Sequence, residues 1–160
     1  MWNNARFLVL TVLTVLADQY SKAWIIERIP HYGVEPLLPS LNLVHLHNTG
    51  AAFSMFRSAP ALAFVTLASV VCAGILAWLW RHPTGERLSA AGLCLIMGGA
   101  IGNVIDRLRL GHVTDFIDFY VGNWHFAAFN VADAAICTGA ALLILEMLQE
   151  MRAAKKPSAQ

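Results

Sequence analysis

Four stretches of the chain stay apolar for close to the roughly 20 residues a helix needs to cross a ~30 Å hydrocarbon core: Phe7 to Ile26, Ala59 to Trp80, Leu88 to Ile105 and Ala127 to Leu148. Backbone exposed to lipid must satisfy its own hydrogen bonds, so each stretch is predicted to be a helix. The third carries Gly92, Gly98, Gly99 and Gly102 with Ala90, Ala91 and Ala100, small residues that let helices approach closely in lipid, which marks it as central. Between the first two stretches the pattern changes. Ile29 to Ser40 holds Pro30, Pro36, Pro39 and Gly33 and excludes a continuous helix. Leu41 to His47 nearly alternates apolar and polar residues, predicting a strand at the membrane surface. Asn48-Thr49-Gly50 reads as a turn and Ala51 to Phe56 as a second strand. Leu108 to Phe126, with Phe116, Phe119, Tyr120, Trp124 and Phe126, has the aromatic density of a membrane interface.

Composition agrees. Of 160 residues 58% are hydrophobic and 13% charged, against roughly a quarter charged in soluble domains. The expectation is one integral-membrane domain over residues 1–160. The first stretch reads as a retained anchor, because no small-x-small cleavage site precedes a soluble region. Arg6, the Arg81 and Arg87 pair, and Arg152, Lys155 and Lys156 flank the helices on one side, which places both termini in the cytoplasm. Arg28, Arg57, Arg107 and Arg109 on the other side weaken that bias. A net charge of +1 without a basic block gives no reason to expect a nucleic-acid partner. Cys72, Cys94 and Cys137 fall inside the apolar stretches without C-x-x-C spacing and read as small buried hydrophobes.

The candidate chemistry lies in carboxylates. Asp133 heads the fourth stretch, and an ionisable group in a membrane usually faces a protein interior or wet cavity and carries function. Its plain alternative is structural: with Asn130 as a helix cap, Asp133 falls near the third helical position, where the dipole favours an anion. Asp115 reads alternatively as a turn or cap, and Asp106 as a helix end paired with Arg107. Two aspartates held close cannot both ionise, so one activates water while the other, protonated, polarises a carbonyl. Asp18 and Lys22, one turn apart, form a candidate ion pair with Lys22 snorkelling outward. Asn48, Asn103 and Asn130 are amides suited to gripping a peptide backbone, or caps and turns. His45 and His47, with His112 and His125, invite a metal, but the spacing suits interfacial histidines better and no metal or other cofactor is expected. Serine-hydrolase and zincin motifs are absent from the sequence.

Five motifs occur in order: Asp18-Gln19-Tyr20-Ser21-Lys22, Asn48-Thr49-Gly50-Ala51-Ala52-Phe53-Ser54, Gly98 to Arg107, Gly111-His112-Val113-Thr114-Asp115-Phe116, and Phe129-Asn130-Val131-Ala132-Asp133. Together they resemble the bacterial lipoprotein signal peptidases, signal peptidase II. The resemblance implies four transmembrane helices, a periplasmic β-cradle and a short interfacial helix. It implies an aspartic endopeptidase of the inner membrane that is sensitive to globomycin; we read the chain as a monomer that meets membrane lipid and whose site opens near the periplasmic face. Its substrates would be diacylglyceryl-modified prolipoproteins, cut just before the lipidated cysteine. Carried over by motif, Asp115 and Asp133 form the catalytic dyad; Asn48, Gly50, Asn103, Asp106, Arg107 and Asn130 support the site or contact substrate; Asp18 and Lys22 match structurally important positions. Asp106 with Asp133 is a rival dyad. Thr114 departs from the expected aliphatic residue, and its hydroxyl is expected to tune hydrogen bonding beside Asp115. The alternatives from other classes are a small proton-coupled transporter or lipid-binding protein that uses the buried carboxylates as a relay, and a metal hydrolase.

Overall fold

The computed structural model describes residues 4–50, 60–82 and 84–154. The strand expected at Ala51 to Phe56 lies outside these residues, as do Arg57, Lys155 and Lys156. After a 3₁₀ turn at Asn4–Phe7 come α1 (Leu8–Arg28), β1 (Val34–Leu38), β2 (Leu41–Asn48), α2 (Ala61–Arg81), α3 (Arg87–Leu110), β3 (Val113–Val121), β4 (Trp124–His125) and α4 (Val131–Ala154). Among the described residues three helices, α2, α3 and α4, are long and apolar enough to cross a membrane. α1 has the length, but the polar run Asp18 to Lys22 interrupts its apolar course.

α3 is the central helix, and its glycines set how near its neighbours come. A Cβ on Gly92 or Gly99 would run into the carbonyl oxygens of Gly139 or Ala132 on α4, and one on Gly98 would strike Thr14 of α1. Thr11 Oγ1 of α1 donates to the Cys94 carbonyl of α3 at 2.8 Å. α2 packs on α3 chiefly at the end away from the sheet, where Ile75 and Leu79 meet Ala90, Cys94 and Met97. Side chains such as Leu13, Leu16, Leu67 and Val70 are exposed, as a lipid-facing surface requires. Asn4 sits at that same far end, where its Nδ2 donates to the His82 carbonyl at 2.8 Å. There, too, Glu146 accepts from the Ser89 amide.

At the opposite end lies a four-stranded antiparallel sheet of order β1-β2-β3-β4. β1 is an exposed edge strand and tolerates Pro36 there. β2 matches the strand read from its alternation. Leu108 to Phe126, read for its aromatic density, forms the tail of α3, the strand β3 paired to β2, and β4. α3 ends at Gly111, which takes φ 78°, and β-branched and aromatic residues favour extended backbone from Val113 onward. Among the described residues the interfacial helix has no counterpart. α4 starts at Val131 rather than Ala127, because residues 126–129 are spent on β3: Phe126 N donates to Phe119 O, and Phe129 O accepts from the amides of both Phe116 and Ile117, at 3.0 and 2.8 Å. Of the three cysteines, only Cys94 is fully buried; Cys137 is exposed on α4, contrary to expectation.

Candidate active site

The backbone clamp at Phe129 brings the two stretches that carry Asp115 and Asp133 together. Asn130 is the N-cap of α4: its Oδ1 accepts from the Asp133 amide at 3.0 Å, and Asp133 Oδ2 accepts from the Asn130 amide at 3.3 Å. This is a capping box with Asp in the third position. The structural reading of Asp133 as a first-turn anion is therefore correct, and it does not compete with the chemical one. Asn130 Nδ2 donates at 2.7 Å to Asp115 Oδ1, so one capping residue ties the two carboxylates. Asn48, at the end of β2, donates from Nδ2 to Asp115 Oδ2 at 2.9 Å while its Oδ1 accepts from the Gly50 amide at 2.9 Å.

A second tier holds the first. Lys22 is 2% exposed and does not snorkel. Its ammonium reaches Asp18 at 2.8 Å, Asp106 at 3.0 Å and Asn103 Oδ1 at 3.0 Å. With its oxygen fixed by Lys22, Asn103 turns Nδ2 to Asp133 Oδ1 at 2.8 Å. Asp18, fully buried, also accepts from the Ala132 amide at 2.9 Å and so caps a further N–H of α4. Gln19, which the motif contains but residue type alone does not single out, donates to Asp106 at 2.9 Å and to the Gly102 carbonyl at 3.2 Å. Asp106 Oδ2 accepts from the Thr114 amide at 3.1 Å. Thr114 therefore acts through its backbone. Its buried hydroxyl finds no partner among the described residues, so the expected tuning of Asp115 by that hydroxyl is not observed.

A cavity of about 520 Å³ opens over these groups. Asn48, Gly50, Asn103, Arg107, Asp115 and Asp133 line it; Asp106, Asp18 and Lys22 do not. Its remaining wall is apolar, from Val113, Phe126 to Phe129, Ala134, Ile136 and Cys137, none of which residue type marked in advance. Arg107 crosses the rim: Nη2 donates to the Gly50 carbonyl at 2.7 Å, and the guanidinium lies 4.5 Å from the Phe64 ring of α2. Burial first, and the Asp133 charge second, push the Asp115 carboxyl up to about 6, against the lowering effect of Asn48 and Asn130.

The histidines gather elsewhere. His47 stacks between His31 and His112 with ring centroids 3.8 and 3.6 Å away, and its Nε2 is 3.2 Å from His45 Nε2. Among the described residues no three His, Cys, Asp or Glu side chains form a metal-ligand set. His125 is apart, beside Asp118 at 2.9 Å.

A helical membrane-type fold with a carboxylate-lined cavity where helices meet a small sheet belongs to the class of membrane enzymes. Two solved structures, each described as a bacterial membrane enzyme, superpose on this chain: one with a TM-score of 0.87 at 25% identity, covering 98% of this chain and 94% of that one, the other with 0.80 at 26%, covering 90% and 93%. The family profile described as signal peptidase (SPase) II matches residues 10–149. A lipoprotein signal peptidase of Alteromonas mediterranea is 44% identical over 147 residues, 90% of this chain and 81% of the relative; one of Coxiella burnetii is 46% identical over 145 residues, 89% of each. The chain belongs to the signal peptidase II family and is a peptidase. Family membership decides against the transporter alternative.

Proposed function

We propose that this chain cleaves lipidated prolipoproteins at their signal peptides by an aspartic mechanism in which Asp115 and Asp133 are the catalytic pair. The observation that carries this reading is that these two carboxylates, joined through Asn130, line one cavity, while both oxygens of Asp106 are taken by Lys22, Gln19 and the Thr114 amide. Asp115, with its carboxyl raised to about 6, holds the shared proton. Asp133, on the first turn of α4 and accepting from Asn103 and the Asn130 amide, is the carboxylate. It takes a proton from water as the oxygen attacks the scissile carbonyl, and Asp115 donates a hydrogen bond to the oxygen that gains charge. When the C–N bond breaks, the proton on Asp133 passes to the leaving amine. Asn48, Gly50 and Arg107 at the rim hold the extended substrate backbone, and the apolar wall faces its lipid chains.

The same reading makes α1 the fourth membrane span, with Asp18, Lys22 and Asp106 satisfying one another inside the protein. Arg6, Arg81, Arg87 and Arg152 lie on the cytoplasmic side and the sheet on the periplasmic side of a bacterial inner membrane. Incubating purified protein with diacylglyceryl-modified precursor in detergent tests the proposal. Asp115→Asn and Asp133→Asn should each abolish the size shift; Asp106→Asn should weaken it through lost stability and leave measurable turnover. Near-parental turnover of either of the first two variants removes the assignment.

A further inference from the structure

α2 and α4 pack on opposite flanks of α3 and, among the described residues, form no substantial interface with each other. Between them one face of α3 stays open. Ser89, Leu93, Ile96, Ala100, Asn103 and Arg107 follow at intervals of three and four, so they share that face, and all are only partly buried. At the sheet end the face runs into the carboxylate cavity through Asn103 and Arg107. At the other end it floors a second cavity, of about 490 Å³, walled by Ile75 and Trp78 of α2 and Leu143 of α4. The mouth of this groove is different in kind. Glu86 and Glu150 line it, both are exposed, and among the described residues no Lys, Arg or His lines the cavity. Among the described residues neither glutamate is in an ion pair.

We propose that this groove seats the signal-peptide helix of the substrate, with Glu86 and Glu150 receiving its cationic N-terminal region; the proposal rests on the peptidase reading above. A signal peptide carries a positively charged segment ahead of an apolar run of about 7 to 15 residues. In lipid that run is helical, and about 15 residues at 1.5 Å each make a rod of about 22 Å. Along α3 from Asn103 to Glu86, and along α4 from Asp133 to Glu150, the same rise gives about 26 Å. A helix whose scissile end reaches the carboxylates thus brings its charged end to the glutamates, with a few residues left for the extended cleavage region. The apolar walls match the run, the two carboxylates match the cations, and the groove ends in the site that cuts.

Two diacylglyceryl-modified precursor peptides test this, identical but for an N-terminal region with two Lys or two Gln, in nanodiscs of uncharged lipid so that membrane charge cannot discriminate. The parent enzyme should prefer the Lys precursor by about fivefold in kcat/KM, carried by KM, which is what two exposed charge pairs typically supply. Glu86→Gln/Glu150→Gln should lose the preference, and Glu86→Lys/Glu150→Lys should prefer a precursor with two Glu. A parent indifferent to the charge, or a double Gln variant that keeps the parental preference, overturns the proposal and leaves the peptidase reading intact. A parent that cleaves neither precursor overturns both.

Discussion

Replacing Asn48 with Ala tests how Asp115 keeps its proton. Asp115 is 3% exposed, and burial, then the Asp133 charge, lift its carboxyl from an ordinary 3.8 to about 6. The donors Asn48 Nδ2 at 2.9 Å and Asn130 Nδ2 at 2.7 Å pull the other way, because each favours the ionised form. A hydrogen bond to a charged group contributes about 1.5–3 kcal/mol, and one pH unit corresponds to ~1.36 kcal/mol. Water entering the open cavity replaces part of the lost donor, so Asn48→Ala should raise the carboxyl by about one pH unit. For stability the sign is that of a raised carboxyl: the tighter native-state proton stabilises fully below 3.8, and that contribution is lost as pH climbs through about 6. In the variant the loss extends to about pH 7. For catalysis, the proton is the one Asp115 donates, so the alkaline limb of kcat/KM should move from near 6 to about 7. At about pH 8 the variant then keeps roughly ten times more of its own plateau than the parent keeps of its own, although the plateau is lower. Cleavage of lipidated precursor measured across about pH 4 to 9 reads this directly. A limb that stays in place, or moves to lower pH, refutes the role given to Asp115.

Lys22→Met leaves the buried Asp18 and Asp106 without their cation and should destabilise the protein by about 3–5 kcal/mol, read as thermal unfolding in detergent; an unchanged midpoint would mean the cluster is not a charge cluster. Gly99→Ala should remove about 1–3 kcal/mol by forcing α3 off Ala132, whereas Gly74→Ala, which faces open space, should be neutral; equal effects would contradict the close approach. A bulky maleimide should react with exposed Cys137 faster than with buried Cys94 and block cleavage by filling the cavity wall. Full activity after stoichiometric labelling of Cys137 would place substrate elsewhere.

Much of the fold was legible because a bilayer leaves a chain few options. Apolar runs near 20 residues become helices, and proline with alternation at Pro30 to His47 becomes loop and strand. The boundaries failed where tertiary bonds override local pattern: α4 begins four residues after its apolar run starts, since Phe126 and Phe129 bond to β3 instead. β3 was readable in principle from Val113, Thr114, Phe116 and Ile117 between Gly111 and Gly122, but aromatic density reports an environment and not a backbone conformation.

The helices, the glycine-rich α3, the resemblance to a family and four motif aspartates, Asp18, Asp106, Asp115 and Asp133, follow from the order of residues alone. Which of the four share a cavity emerges only from tertiary contacts. Periodicity reports on neighbours three or four residues away, whereas Asp115 and Asp133 meet through a strand-to-helix clamp at Phe129 and a capping side chain at Asn130. Asp106 turns inward because the Lys22 ammonium, brought from another helix, is the cation that can be buried with it.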